Sequence, residues 1–371
     1  MKITLLQTAP VDEPGSMNAY ARLVETALHS QGVTVDILQL APPAGLMRKL
    51  PGPLATLAQL IWMGGHLRFA LWREGHTSIH LLDGSHGHLL RHIPCDLPVV
   101  VTAHDIIPLL QCKGHFFVAK PGFASRHLIK YSVAALGRAG KIIVVSSSTG
   151  EDLIQVADMD KCRIKLVPSS IPVEISSAAE RCYPAWMDRM GSQYPYLIHL
   201  GNNGFYKNRS GAIRIFSKMA SHCTLRLKMI GPVPSAALVA LVEQAGIAGR
   251  VDFIVDPLSA ELARFYGNAC LLLFPSLYEG YGWPPLEAMA FGCPVVCSNV
   301  ASLPEVVGDA ALTGDPDDEE HMAGLCLSIL ENADLAGQLI HKGLERARQF
   351  TPERMGKEIL AIYEEVFNIQ S

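Results

Sequence analysis

Apolar residues in this chain come mainly in short runs, set between longer segments whose apolar positions recur at helical spacing. The runs fall at 2–7, 34–40, 78–83, 99–104, 141–146 and 164–168 in the first half. In the second half they fall at 196–201, 225–230, 251–255, 270–275, 294–298 and 310–313. Most are rich in Val, Ile and Leu and lack the alternation of a half-exposed strand. They therefore predict strands buried on both faces between helix layers, the mark of parallel sheets. Two such sets of alternating strand and helix predict two doubly wound α/β domains.

The pattern breaks over 171–195, IPVEISSAAERCYPAWMDRMGSQYP, which is polar, contains Pro and has no strand pattern. The join is placed there, with an N-terminal domain over 1–180 and a C-terminal domain over 190–352. After Pro352, Met355, Ile359, Leu360, Ile362, Tyr363 and Phe367 form one stripe. That stripe predicts an amphipathic helix over 353–371 that packs back on the first domain. The stretch from Pro53 to Trp72 is apolar too, but Gln59, Gly64, Gly65, His66 and Arg68 interrupt it. They argue against a spanning helix. Two readings stay open: a core helix with solvated charges, or a surface helix that Arg48, Lys49, Arg68 and Arg73 dock on anionic lipid.

Composition narrows the class. The chain has 371 residues, 49% apolar and 18% charged, which suits more than one packed core. A net charge of −4 gives no global footprint for nucleic acid. Nine cysteines are scattered without a CxxC pair and read as reduced thiols of a cytoplasmic protein. MKITLLQTAP reads as a first strand and not as a secretory signal. Neither GxGxxG nor GxxxxGK[ST] occurs.

Open parallel sheets bind ligands beyond the C-terminal ends of their strands, so the loops there carry the candidate chemistry. The first is PSLYEGYGWPPLEAMAFG, residues 275–292. Gly280 and Gly282 let backbone approach a ligand, and the N–H groups of a helix opening near Pro284 favour an anion. Glu279 and Glu287 each suit a vicinal diol, since a carboxylate accepts two hydroxyl hydrogen bonds. The competing reading is that Glu279 caps the helix and that Glu287, placed in its first turn, favours its dipole.

The second loop is LGNNGFYKNRSGAIRIF, residues 200–216, where Lys207 and Arg209 stand ready to hold a diphosphate. The third is VVVTAHD, residues 99–105, whose His104 and Asp105 end a strand. The fourth is PVDEPGSMNAY, residues 10–20, with Gly15 and Ser16 between first strand and first helix. Asp315-Pro316-Asp317 has the look of a metal-binding DxD, but it precedes a predicted helix and reads as capping acids.

Together these pieces resemble the retaining GT-B glycosyltransferases of family four, also called glycosyl transferases group 1. The resemblance rests on the E-x7-E signature of Glu279 and Glu287 within YEGYGWPPLEAMAFGCPVV, and on GNNGFYKN, TAHD and VSSSTGEDL. It implies two Rossmann-like domains facing a central cleft, with a nucleotide-sugar donor and a saccharide or lipid-linked saccharide acceptor. It implies neither cofactor nor metal. Glu279 would lie beside the transferred sugar, Glu287 on the ribose hydroxyls, and the backbone of Gly280, Tyr281 and Gly282 on the diphosphate. Lys207 would neutralise that diphosphate and His104 would touch the donor sugar. Asp256 to Leu258 would meet the base, while Gly15 and Ser16 belong to the acceptor and phosphate loop. The double proline of GWPPLEAM is most similar to mannosyltransferases using GDP-mannose.

Two departures stand out: Tyr206 replaces a common Arg, and Gly15-Ser16 replaces paired glycines. They keep a non-catalytic binding protein among the alternatives, beside a UDP-sugar transferase and a nucleotide-sugar epimerase.

Overall fold

The computed structural model describes residues 2–10, 15–43, 52–74, 78–181 and 183–367. Residues 11–14 of the first loop, Arg48, Lys49 and Cys182 lie outside that range. In chain order the first elements are β1 (Lys2–Gln7), α1 (Ser16–His29), β2 (Thr34–Gln39), α2 (Gly52–Glu74) and β3 (Ile79–Leu81). Then come β4 (Val99–Ala103), α3 (Ile107–Lys113), α4 (Phe123–Ala135), β5 (Lys141–Val144), α5 (Ser147–Gln155) and β6 (Ile164–Leu166). The next set is α6 (Val173–Ala179), α7 (Trp186–Met190), β7 (Tyr196–Leu200), α8 (Arg209–Met219), β8 (Arg226–Gly231), α9 (Ala236–Gln244) and β9 (Val251–Val255). After these run α10 (Ser259–Asn268), β10 (Leu271–Phe274), α11 (Trp283–Ala290), β11 (Val295–Ser298), α12 (Leu303–Val307) and β12 (Leu312–Gly314). The last are α13 (Glu319–Glu331), α14 (Ala333–Ala347) and α15 (Pro352–Phe367). Every apolar run singled out in the sequence coincides with one of the strands.

The chain divides into two compact units, Met1–Ser170 with Thr351–Ser371, and Ile171–Phe350. Residues 171–180, assigned above to the first domain, lie in the second unit. There α6 packs on α10 and α11 and buries Ile175 and Ala178 in their shared core. Polar spacing hid this contact, because only one face of so short a helix is apolar.

Each unit holds one six-stranded parallel sheet, ordered β2-β1-β3-β4-β5-β6 in the first and β12-β11-β10-β7-β8-β9 in the second. In the second unit, Ile198, Leu200, Leu272 and Phe274 point to one helix layer, while Leu197, Leu271 and Leu273 point to the other. Alternate residues of one strand thus serve two cores, which is why both positions are apolar. Each such side chain contributes roughly 1.5–3 kcal/mol by leaving water.

In both sheets the chain steps outward from its first strand and then returns past it. The reversal falls between β1 and β3 and between β7 and β10. Helices cross to opposite faces at such a point, which opens a crevice at the strand ends.

Helix α15 returns to the first unit and lies against α1 so closely that a Cβ on Gly356 would sit 2.2 Å from the Ala27 carbonyl oxygen. Its Met355, Ile359, Ile362 and Tyr363 are buried. The Tyr363 hydroxyl meets Nδ1 of buried His80 at 2.6 Å, and Nε2 of that ring meets Thr102 Oγ1 at 2.8 Å. Burial pushes His80 down to about 3, helped by the charge on His104, so this ring is neutral at physiological pH. Helix α2 buries Met63, Leu67 and Ala70 on one side, yet Leu54, Leu57, Ile61, Phe69 and Trp72 stay exposed. No helix among the described residues is long and apolar enough to cross a membrane.

Candidate active site

Strand β10 ends at Phe274 and leads through residues 275–282 into α11, while β7 ends at Leu200 and leads through 201–208 into α8. Because β7 and β10 are neighbours at the reversal, these two loops meet. The Leu277 N–H donates to the Tyr206 carbonyl at 2.7 Å, and Asn208 Nδ2 donates to the Pro275 carbonyl at 2.9 Å. Asn208 adopts φ +47°, and its Oδ1 caps α8 by accepting from the Gly211 N–H at 3.1 Å.

These backbone ties bring Lys207 onto Glu279. Nζ lies 2.8 Å from both carboxylate oxygens, with the two side chains only 15% and 7% exposed. The ammonium also sits 5.4 Å from the Phe274 ring and 5.5 Å from that of Tyr206, within cation–π range. Either charge left alone so far from water would cost several kcal/mol, so the two residues form one unit. Ser302 Oγ steadies the acidic loop by donating to the carbonyls of Glu279 (2.9 Å) and Tyr281 (2.6 Å).

Glu287 has a different setting. It is buried in α11, and its carboxylate accepts from the Tyr266 hydroxyl at 2.6 Å. Burial raises its pKa from the ordinary 4.5 to about 7, against the lowering pull of Tyr266 and of the Lys207 charge. Glu287 is thus poised to exchange a proton near neutrality while Tyr266 orients it. The capping reading of this pair does not hold. Glu287 is the fifth residue of α11, and no side chain caps the helix, whose N-cap is Gly282. Prolines 284 and 285 carry no N–H, so the start of this helix offers fewer donors to an anion than a sequence count suggests. Gly282 adopts φ +111°, and a Cβ there would meet Leu303 Cδ2 at 2.6 Å, so only glycine fits.

Arg209 is buried at the start of α8. Its Nη1 donates to Asn203 Oδ1 (2.5 Å) and to the Pro232 carbonyl (3.1 Å). Nε and Nη2 are buried without a hydrogen-bond partner among the described residues. Unmade bonds on a buried guanidinium are a standing cost that an anion would remove. Burial pulls the Arg209 pKa down and Asp256 pulls it up. Asp256 itself adopts φ +39° and donates its N–H to Gly231 O at 3.0 Å. Leu258 is exposed ahead of α10, where its N–H donates to Glu261 Oε2. Most acids at 315–320 already have partners. Asp315 Oδ1 accepts from the Asp317 N–H, Asp318 caps α13, Glu319 pairs with Arg214, and Glu320 with Lys218.

In the first unit, His104 follows β4 and donates Nε2–H to the Leu82 carbonyl at 3.0 Å, which leaves Nδ1 as an acceptor. Its ring meets Tyr20 edge-on at 4.4 Å. Asp105 Oδ1 accepts from the Ile107 N–H at 2.9 Å just ahead of α3, whose N-cap is Ile106. Gly15 is the N-cap of α1 and Ser16 its first residue. Sequence reasoning passed over Tyr266, Ser302 and Asn208. Only Asn208 carried a signal, an amide residue directly before an amphipathic helix.

Residues 17–175 match the family described as Glycosyltransferase Family 4, and residues 189–346 match Glycosyl transferases group 1. An O-antigen chain mannosyltransferase B of Escherichia coli is 29% identical over 279 residues, which are 73% of this chain and 72% of that protein. A serotype-specific mannosyltransferase of the same species is 26% identical over 75% of this chain, a match spanning only 34% of its own length. Among solved structures, the sucrose-phosphate synthase of Thermosynechococcus elongatus has the same fold, with TM-score 0.82 at 21% identity over 99% of both chains. With both halves matched and this fold in common, the chain belongs to the two-domain glycosyltransferases of group 1 and family four.

Proposed function

We propose that this glycosyltransferase moves a mannose residue from GDP-mannose to a saccharide or lipid-linked saccharide, with retention of configuration and without a metal. The observation that carries the reading is the buried Lys207–Glu279 pair at the reversal of the second sheet. A nucleoside diphosphate sugar presents hydroxyls and a diphosphate together. Glu279 takes hydroxyls of the transferred sugar and stabilises positive charge at its anomeric carbon. Lys207 and the two unpartnered donors of Arg209 take the leaving diphosphate, which is the role a metal plays elsewhere. Glu287, oriented by Tyr266, takes the ribose hydroxyls, and the segment Asp256 to Leu258 meets the base. The acceptor hydroxyl attacks on the face the diphosphate leaves and passes its proton to the departing oxygen, so no separate base is required. Support for mannose comes from the double proline of GWPPLEAM and from the two mannosyltransferase relatives.

The test is melting of the protein with GDP, UDP and ADP and with their sugars, followed by transfer from the stabilising donor to mannose-terminated oligosaccharides. Stabilisation by UDP compounds alone overturns the donor assignment. Product formed from donor without acceptor identifies an epimerase, and binding without turnover a non-catalytic protein.

The same reading places the protein at the cytoplasmic face of a membrane as a peripheral partner. Between Ile37 and Gly150 the chain carries eleven Lys and Arg against four Asp and Glu, although its net charge is −4. The outer side of α2 exposes Ile61, Phe69 and Trp72 beside Arg68 and Arg73. Aromatic and basic residues on one helix suit the interface of an anionic bilayer. Ile61→Asp with Trp72→Ala should abolish cosedimentation with vesicles containing phosphatidylglycerol while leaving the melting temperature unchanged. Undiminished cosedimentation rejects this surface.

A further inference from the structure

The reversal of the first sheet is occupied by a set of polar side chains of which the sequence motifs announce only His104. Thr8 directly follows β1, Asp83 lies just beyond β3, and His104 directly follows β4. Asp83 stands at the centre. Its Oδ1 accepts from the Ser85 N–H at 2.9 Å, and its Oδ2 lies 3.1 Å from His86 Nδ1 and 3.4 Å from Thr8 Oγ1. Ser85 Oγ is also 3.1 Å from His86 Nδ1. Burial on its own would raise the Asp83 carboxyl, but the hydrogen bonds it accepts, that from His86 foremost, hold it well below the usual carboxylate range. It is therefore an anion, and an anion accepts. His86 donates from Nδ1, so in the neutral ring, 27% exposed, Nε2 is the acceptor nitrogen. His86 itself interrupts the short helical segment Gly84–His92, with φ −94° and ψ 24°. His104 is pinned in the opposite sense, by Nε2, and leaves Nδ1 as its acceptor.

Two imidazoles at one crevice thus each have one nitrogen committed to the protein and the other left to accept. That arrangement suits a ligand rich in hydroxyl donors. We propose that the Asp83–His86 pair is the saccharide-binding group of the first unit: His86 Nε2 accepts a hydrogen bond from a hydroxyl of the acceptor sugar, and Asp83 acts as a positioning residue that sets its tautomer. This rests on the transfer reading above, which it deepens by assigning the acceptor side.

The test uses an oligosaccharide that the wild-type protein elongates. His86→Ala should raise the acceptor KM about tenfold, with kcat and donor KM nearly unchanged, as expected for one lost hydrogen bond to a bound hydroxyl. His86→Gln, which keeps an acceptor atom at a similar reach, should recover most of that loss. Asp83→Asn should raise acceptor KM in the presence of His86 but add nothing in the His86→Ala background. His86 is partly exposed, so its substitution spares the core, and nucleotide-induced melting shifts verify folding of each variant. An acceptor KM within about twofold of wild type in His86→Ala overturns the proposal, as does an additive effect of Asp83→Asn. If the wild-type protein transfers nothing from any nucleotide sugar, the transfer reading itself fails, and that outcome is visible before any variant is made.

Discussion

The two units share a plan and differ in the chemistry placed at the same point of it. Each is a six-stranded parallel sheet whose chain reverses beside its first strand. At the reversal of the second unit a carboxylate meets an ammonium, Glu279 with Lys207. At the reversal of the first, a carboxylate meets an imidazole, Asp83 with His86. An ammonium is a compact charge that cannot accept a hydrogen bond, so it suits an anion that arrives or leaves. An imidazole oriented by a carboxylate is an acceptor with a defined direction, so it suits a neutral hydroxyl. The topology supplies the place, and the residue type decides what binds there.

Lys207→Ala tests that contrast most severely. It removes the cation and leaves Glu279 buried alone, so turnover should fall by about 10²–10³, and near-full turnover would sink the assignment. Stability should fall as well, and Lys207→Met combined with Glu279→Gln should restore most of the melting temperature.

The next effect in size separates Glu287 from Asp83 of the first unit. Its folded pKa of about 7 lies above the ordinary 4.5, so its contribution to stability is complete below about pH 4.5 and is lost as pH rises to about 7. That difference corresponds to about 3 kcal/mol. Subtracting the Glu287→Gln stability profile from the wild-type profile should isolate a fall over that window, and a flat difference rejects the assignment. Asp83, held low, contributes in the opposite sense.

Within the first unit, Tyr363→Phe leaves His80 Nδ1 buried without its partner and should cost about 1–3 kcal/mol. Differential melting should show the loss in the transition of that unit, while the shift on nucleotide binding stays unchanged. The smallest effect comes from Lys218→Ala, which breaks an exposed pair with Glu320. Calorimetry should register no change, which would show that position at the reversal, and not ion pairing as such, gives the Lys207 pair its weight.

How much of this was legible in the sequence follows from the range of each interaction. Strands buried on both faces write themselves as apolar runs, so every strand could be placed and the doubly wound fold followed. Glu279, Glu287 and Lys207 were legible as motif residues on strand-end loops. Their partners were not. Lys207 finds Glu279 across 72 positions of chain, and Glu287 finds Tyr266 on a different helix. Such pairings depend on which strands lie side by side, and strand order is set by the packing of whole helices. Asp83 and His86 escaped for a related reason: DGSHGH is ordinary until β1 brings Thr8 beside it. The place of Glu287 within its helix was misjudged because prolines 284 and 285 suggested a later start than Trp283.

The return of α15 bears on how the molecule comes into being. A ribosome makes Tyr20, His80 and Thr102 early, but Tyr363 only after the whole of residues 171–350 has emerged. Until then the nascent first unit holds a buried-type histidine without its last partner, and an apolar groove along α1 awaits Met355 and Ile359. The second unit has all of its own chain by Phe350 and is free to complete itself while its older neighbour waits. The unit that leaves the ribosome earlier is therefore the one that waits longer for its last helix.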